Sequence, residues 1–354
     1  MNKGLKRMGI TLLFIMSLAI FAACGGNEEG NGKGDEGEAS SKNGETITIR
    51  MANQVDEKNF LNQGYVKFKE IIEEKSDGQF QVEIYNGGTL VTSDEEIVES
   101  LKSGSIELST SSAYGTANTT GVDALKLFDM PMLFDSREDA YELLDGEYGE
   151  GIKEQIEEKA NVQVLGFIDL GFYGILNNDR SIEKPEDLKG LKIRTSAADL
   201  HLDTMSAMGG NPTPMAYSEV FTGLQQGTID GVSTTTPLIY GDRFFEVSKN
   251  MTVTNQVFLP HVMMVNNDFY NGLSDELKTI LEESVNEYVT YARELAVNAE
   301  EEAVQGMKDE GVNVVELTDE QRQAFKKAVE PVIEKHIDTV GKENYEKAIE
   351  QLEN

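Results

Sequence analysis

Cys24 is the one thiol in the chain, and the residues around it indicate what it does. Lys3, Lys6 and Arg7 precede an apolar run from Ile10 to Phe21, and Ala22-Ala23 places small residues just before the sulfur. The run is too short to cross ~30 Å of hydrocarbon with a normal margin, so residues 1–23 read as a cleaved export signal. A thiol at the cut is the acceptor for a diacylglyceryl group, which predicts lipidation of Cys24. The alternative is an ordinary secretory signal with a coincidental cysteine. With no second cysteine, no disulfide forms within one copy and packing alone must hold the fold. His201, His261 and His336 share no helical spacing and have no thiol to assist them, so neither a metal nor a cofactor is expected. There is no Gly-x-Ser-x-Gly elbow and no Walker loop. Acidic pairs abound, but nothing singles out a glycosidase-like couple, and solvated faces account for them.

The formal charge is −32, and removing Lys3, Lys6 and Arg7 with the signal deepens it to −35. Such a surface excludes nucleic acid, which requires a basic face, and a broad contact with anionic lipid. Residues 24–45 are Gly, Asn, Ser, Glu and Asp with almost nothing apolar. They read as a flexible tether, because they bury too little surface to offset the entropy of ordering. Membrane contact is therefore expected through the N-terminal lipid only, with about 300 residues left for one large or two medium domains.

Strand-like and helix-like segments alternate through that body. Thr46 to Met51 alternates polar and apolar, as a half-buried strand does. Asn59 to Lys75 carries a helical stripe (Phe60, Leu61, Tyr65, Phe68, Ile71, Ile72) stopped by Asp77-Gly78. Gln79–Tyr85 and Ile106–Thr110 read as strands, with a helix between them headed by a Ser93/Glu96 capping box. This β-α-β-α-β run predicts a mostly parallel sheet. Asp129 to Phe134 is too apolar for a surface loop and is expected to line an interior surface or a cleft. Ser136 caps the next helix. Val162–Phe167, Phe172–Leu176, Leu191–Arg194, Ile229–Ser233, Met251–Thr254 and His261–Asn266 read as separate strands, and Ser218–Gln226 as a helix. Ser274 opens a periodic stretch that runs to about Asp309, roughly 50 Å of helix, long enough to lean on two domains. Thr318 with Gln321 caps another helix, which carries Pro331. An exported α/β chain with no visible catalytic set points to a binding module.

Three stretches carry a resemblance. They are Lys184-Pro185-Glu186-Asp187-Leu188-Lys189-Gly190-Leu191-Lys192-Ile193-Arg194, Met208-Gly209-Gly210-Asn211-Pro212-Thr213-Pro214-Met215-Ala216-Tyr217-Ser218-Glu219-Val220, and Leu224-Gln225-Gln226-Gly227-Thr228-Ile229-Asp230-Gly231. Together with Met130-Pro131-Met132-Leu133-Phe134, they resemble the solute-binding subunits of TRAP transporters, of the DctP type. The resemblance implies an α/β, two-lobe periplasmic-binding-protein-like fold with mixed sheets and a long helix spanning both lobes. It implies lobe I over 46–170 plus 259–298 and lobe II over 171–258 plus 299–354. It implies an extracytoplasmic, non-enzymatic protein that captures an organic acid and delivers it to TRAP membrane subunits.

In that family the arginine closing the Gly-Leu-Lys-Ile-Arg strand grips the ligand carboxylate, a role that maps onto Arg194. A planar guanidinium offers two parallel donors that match two carboxylate oxygens, which lysine does not. Tyr217 falls where the family places an aromatic against the ligand. Thr234 falls where many members have an asparagine, and Tyr173 where many keep a second arginine. The two departures imply a single carboxylate grip and favour a monocarboxylate (a sugar, hydroxy or keto acid) over a sialic acid or dicarboxylate. Ser112 and Tyr114 follow a first-lobe strand and are expected to complete the pocket, with Tyr240 a weaker candidate. The competing readings are an ABC-type or sensor-linked binding lipoprotein and a lipid-anchored hydrolase.

Overall fold

The computed structural model describes residues 46–353. The expected signal (1–23), the Cys24 lipidation site and the 24–45 tether lie outside the described residues. Chain order begins with β1 (Ile47–Ala52), α1 (Phe60–Lys75), β2 (Phe80–Tyr85), α2 (Asp94–Ser103), β3 (Leu108–Ser112) and α3 (Ala113–Thr120). After a 3₁₀ turn at Asp123–Asp129 come α4 (Arg137–Asp145), α5 (Glu147–Lys159), β4 (Val162–Asn177), β5 (Lys192–Thr195), α6 (Asp199–Ala207) and β6 (Asn211–Pro214). Then follow α7 (Val220–Gln226), β7 (Gly231–Thr235), α8 (Thr236–Gly241), β8 (Asn250–Val253), β9 (Phe258–Asn266) and α9 (Asn267–Gly272). The long helix α10 (Asp275–Asp309), β10 (Asn313–Glu316), α11 (Asp319–Val340) and α12 (Lys342–Leu352) end the chain.

The helix ends follow their capping chemistry. Asn59 accepts from the Leu61 amide at the start of α1, and the predicted stripe is buried. Ser136 with Asp139 and Thr318 with Gln321 close reciprocal boxes at α4 and α11. The box expected at α2 closes only by half. Ser93 Oγ accepts from Glu96 N at 3.2 Å, but the Glu96 carboxylate takes the amide and hydroxyl of Thr92 instead. Between Tyr217 and Gln226 the expected single helix is a 3₁₀ turn, Tyr217–Glu219, followed by α7.

The sheets are mixed, and the parallel expectation holds only for part of them. β1 and β2 pair in parallel, but β3 pairs antiparallel with β9, a strand returning from far along the chain. Local alternation carries no information on partner direction. β4 is the shared element. Its first part pairs antiparallel with β9 and its last five residues, from Tyr173, pair with β7 and β8. The second sheet runs β10-β8-β4-β7-β5-β6. Two strands were expected where β4 is one. In the fold Asp169 is buried against Arg137 Nε at 2.8 Å and Tyr141 Oη at 2.7 Å, and Gly171 adopts φ +93° at a register shift.

This topology is a two-lobe α/β fold whose described buried apolar side chains gather in four clusters. α10 spans both. It packs on α1 and β4, then on α8 and β10. α12 packs on α4 and α5. The apolar run after Asp129 is core rather than cleft wall: Met130, Met132 and Phe134 are buried, and the Phe128 and Phe134 rings stack at 5.7 Å.

Candidate ligand-binding site

The carboxyl end of β5 delivers Arg194 into a cavity between the sheet groups. The Lys192–Thr195 strand is short because Gly190, at φ +88°, turns the chain into it. β6 and β7 flank it in parallel. Arg194 is buried, and its Nε and Nη2 both donate to the Met215 carbonyl, at 3.0 and 2.8 Å. The guanidinium carbon lies 5.6 Å from the centre of the Tyr217 ring. Among the described residues no carboxylate forms an ion pair with it. The carbonyl occupies the Nε edge of the fork, so the Nη1–Nη2 end remains for a ligand. Burial pulls the Arg194 pKa below its ordinary value, against opposing pulls from Tyr173, Tyr217 and Asp94.

Tyr217, in the turn before α7, holds the underside of that guanidinium. Its hydroxyl donates to Asp242, the residue closing α8. The other Asp242 oxygen accepts from the Asp56 amide at 3.1 Å and from Asn59 Nδ2 at 3.0 Å, both near the start of α1. Burial raises the pKa of Asp242, and burial followed by the Asp242 charge raises that of Tyr217 well above the phenol range.

The cavity is bounded by side chains from both sheet groups. All six residues expected from the sequence line it: Ser112, Tyr114, Tyr173, Arg194, Tyr217 and Thr234. Tyr173 and Thr234 come from β4 and β7, one register step apart, since Gly174 pairs with Thr234. Burial raises the Tyr173 pKa, and its ring sits 5.3 Å from His201. Ser112 caps α3 by accepting from Gly115 N at 3.0 Å, and its hydroxyl donates to Asp94 Oδ2 at 2.7 Å. Tyr114 is half-buried beside His201 at 6.3 Å. Tyr240 is elsewhere, stacked on Phe245 at 5.3 Å against the α10 glycine Gly306.

Sequence reasoning missed the polar residues of the opposite wall. Asp94 opens α2 and accepts Gln54 Nε2 at 3.2 Å on one oxygen and Ser112 on the other. His261, on β9, bonds Thr110 Oγ1 through Nδ1 at 3.1 Å, and burial lowers its pKa to about 4. His201 Nδ1 lies 2.6 Å from Ser196 Oγ, and its Nε2 lies 3.0 Å from Asp129 Oδ1 without the alignment of a hydrogen bond. Asp94 was one acid among many in the sequence. His261 was visible as a strand histidine, but only the β3–β9 pairing brings it to the cavity. Among the described residues no cluster of three or more His, Cys, Asp or Glu is placed to hold a metal.

The profile of the bacterial extracellular solute-binding protein family 7 (DctP) matches residues 51–339. The chain belongs to this family, the solute-binding proteins of TRAP transporters. It is 31% identical to the 2,3-diketo-L-gulonate-binding periplasmic protein YiaO of Escherichia coli, over 74% of this chain and 78% of that one. It is also 31% identical to the C4-dicarboxylate-binding periplasmic protein DctP of Rhodobacter capsulatus, over 84% and 89%. The fold is similar to the crystal structure of the sugar acid binding protein DctPAm from Advenella mimigardefordensis in complex with galactonate. There the TM-score is 0.83 at 27% identity, covering 87% of this chain and 98% of that one. Family 7 proteins bind a solute for transport, so this chain is a binding protein rather than an enzyme.

Proposed function

We propose that this chain is the lipid-anchored, extracytoplasmic receptor of a TRAP transporter. It captures a monocarboxylate through Arg194 and passes it to the membrane subunits. Lobe I takes 46–170 plus 259–298 and lobe II 171–258 plus 299–354, whose last helix, α12, packs back on α4 and α5 of lobe I. The observation that carries the reading is the Arg194 fork, buried in an interlobe cavity, backed by a carbonyl and an aromatic ring and without an acid of its own. A buried cation lacking its counter-ion is completed by an anion from outside. Tyr217, Tyr173, Thr234, Tyr114 and Ser112 supply the remaining wall. The ligands named for the relatives, a diketo sugar acid, C4-dicarboxylates and galactonate, all carry a carboxylate.

A thermal-shift screen of organic acids followed by calorimetry on Arg194→Ala tests this. Breaking one side of a buried charge pair costs ~2–5 kcal/mol, roughly 30-fold to several-thousand-fold in Kd. Arg194→Lys, with a charge but no planar fork, falls between. Acids that stabilise Arg194→Ala as well as the parent would remove the assigned grip.

A further inference from the structure

The cavity wall across from Arg194 can be read down to individual protons. Ser109 Oγ donates to the Ala52 carbonyl at 2.7 Å, so towards Tyr65, 3.1 Å away, it accepts. The Tyr65 proton is therefore committed to Ser109. Its oxygen then accepts from the Thr110 amide at 3.1 Å and from the Thr110 hydroxyl at 2.8 Å. With the Thr110 proton used, His261 Nδ1 must be the donor across the 3.1 Å contact to Thr110 Oγ1. This is the one assignment that satisfies every pair in the chain. Burial keeps Tyr65 protonated and His261 neutral at ordinary pH. A neutral imidazole with its proton on Nδ1 presents Nε2 as a bare acceptor. His261 lines the cavity, and Nε2 has no protein partner among the described residues.

Asp94 stands on the same wall. Ser112 and Gln54 each take one lone pair from its carboxylate and hold it in place, and among the described residues no lysine or arginine pairs with it. Its remaining lone pairs are acceptors too. Arg194, on β5, thus brings donors to the cavity, and Asp94 and His261, on α2 and β9, bring acceptors.

Resting on the carboxylate-capture reading above, we infer that the ligand is a polyhydroxylated monocarboxylate, whose carboxylate meets Arg194 and whose distal hydroxyls donate to Asp94 and His261 Nε2. A second carboxylate at the far end would face a like charge and two acceptors. A plain keto or fatty acid would leave both acceptors unpaired in a desolvated pocket, and a site built for hydroxyls rejects ligands lacking them.

The test is calorimetry with four probes: galactonate, galactarate (the same chain with a second carboxylate), hexanoate (no hydroxyls) and 6-aminohexanoate (a distal ammonium). The parent should bind galactonate at least about tenfold tighter than each of the others. Asp94→Asn should narrow the galactonate-to-galactarate ratio about tenfold, and Arg194→Ala should weaken both. Galactarate, hexanoate or 6-aminohexanoate binding as tightly as galactonate would overturn the acceptor assignment while leaving capture by Arg194 intact. An unchanged ratio in a folded Asp94→Asn would do the same. Should Arg194→Ala bind galactonate as the parent does, the capture reading fails and takes this inference with it. The parent's probe ranking decides the matter even if Asp94→Asn does not fold.

Discussion

Arg194 carries its charge into the cavity with no ion-pair partner among the described residues, and His261 lines the same cavity as a neutral ring. The second of these has a measurable consequence for stability. The His261 pKa is lowered from 6.5 to about 4 by burial, against a small opposing pull from Asp94. Above pH 6.5 neither the folded nor the unfolded ring is charged, and His261 adds no pH dependence. Between pH 6.5 and 4 the unfolded ring binds a proton that the folded ring refuses, so stability falls as pH falls, by at most ~3 kcal/mol in total. Asn keeps an amide donor for Thr110 without the titration, so urea denaturation of His261→Asn should show a shallower loss between pH 7 and 4.5 than the parent. Equal losses would mean that the folded ring titrates normally. Legibility at this level was uneven. Arg194, Tyr217 and Tyr173 were found through linear motifs, because β5, the turn before α7 and the end of β4 each bring their own residue to the cavity. Asp94 and His261 belong to no motif. They reach the cavity through α2 and through the β3–β9 pairing, which joins residues about 150 positions apart.

β4 shows what a single strand does when two sheets share it. Its register shifts between Asp169 and Phe172, where it leaves β9 for β7 and β8. Gly171 sits in that shift at φ +93°, and a Cβ there would lie 3.1 Å from Pro237 Cδ and 3.3 Å from Glu300 Oε2. Glu300 is an ion-pair partner of Arg137, which also holds Asp169. Gly171→Ala therefore combines a disfavoured backbone with pressure on a half-buried charge network. A loss of ~1–3 kcal/mol is expected, read as a lower urea midpoint at unchanged slope. A midpoint equal to the parent's would show that the bend relaxes freely. The helices were the legible elements, since Asn59, Ser136, Ser274 and Thr318 announce their starts. Strand partners were not legible. Alternation reports which face is buried, whereas direction and continuity are decided by distant chain such as β9.

The molecule as a whole carries a formal charge of −32, yet the ligand proposed for its cavity is an anion. Surface acids more than ~8 Å away are screened at physiological salt, so the nearby guanidinium governs the encounter. One of the contacts that join the two sides of the cavity runs through Asp242. Asp242 takes the Tyr217 hydroxyl on one oxygen and the Asp56 amide and Asn59 amide on the other. It thereby ties the ring beside Arg194 to the start of α1. A ligand that prefers the closed form shifts the population towards it, and a lower closed fraction weakens apparent affinity in proportion. Removing the carboxylate deletes three hydrogen bonds to a charged group, each worth ~1.5–3 kcal/mol, part of which water regains in the open form. Asp242→Ala should therefore need at least about tenfold more ligand to reach the compact radius of gyration seen by small-angle X-ray scattering of the saturated parent. Asp242→Asn, which keeps one acceptor, should fall between. If Asp242→Ala compacts at the parent's ligand concentration, closure is set elsewhere, and Asp242 only supports the tyrosine.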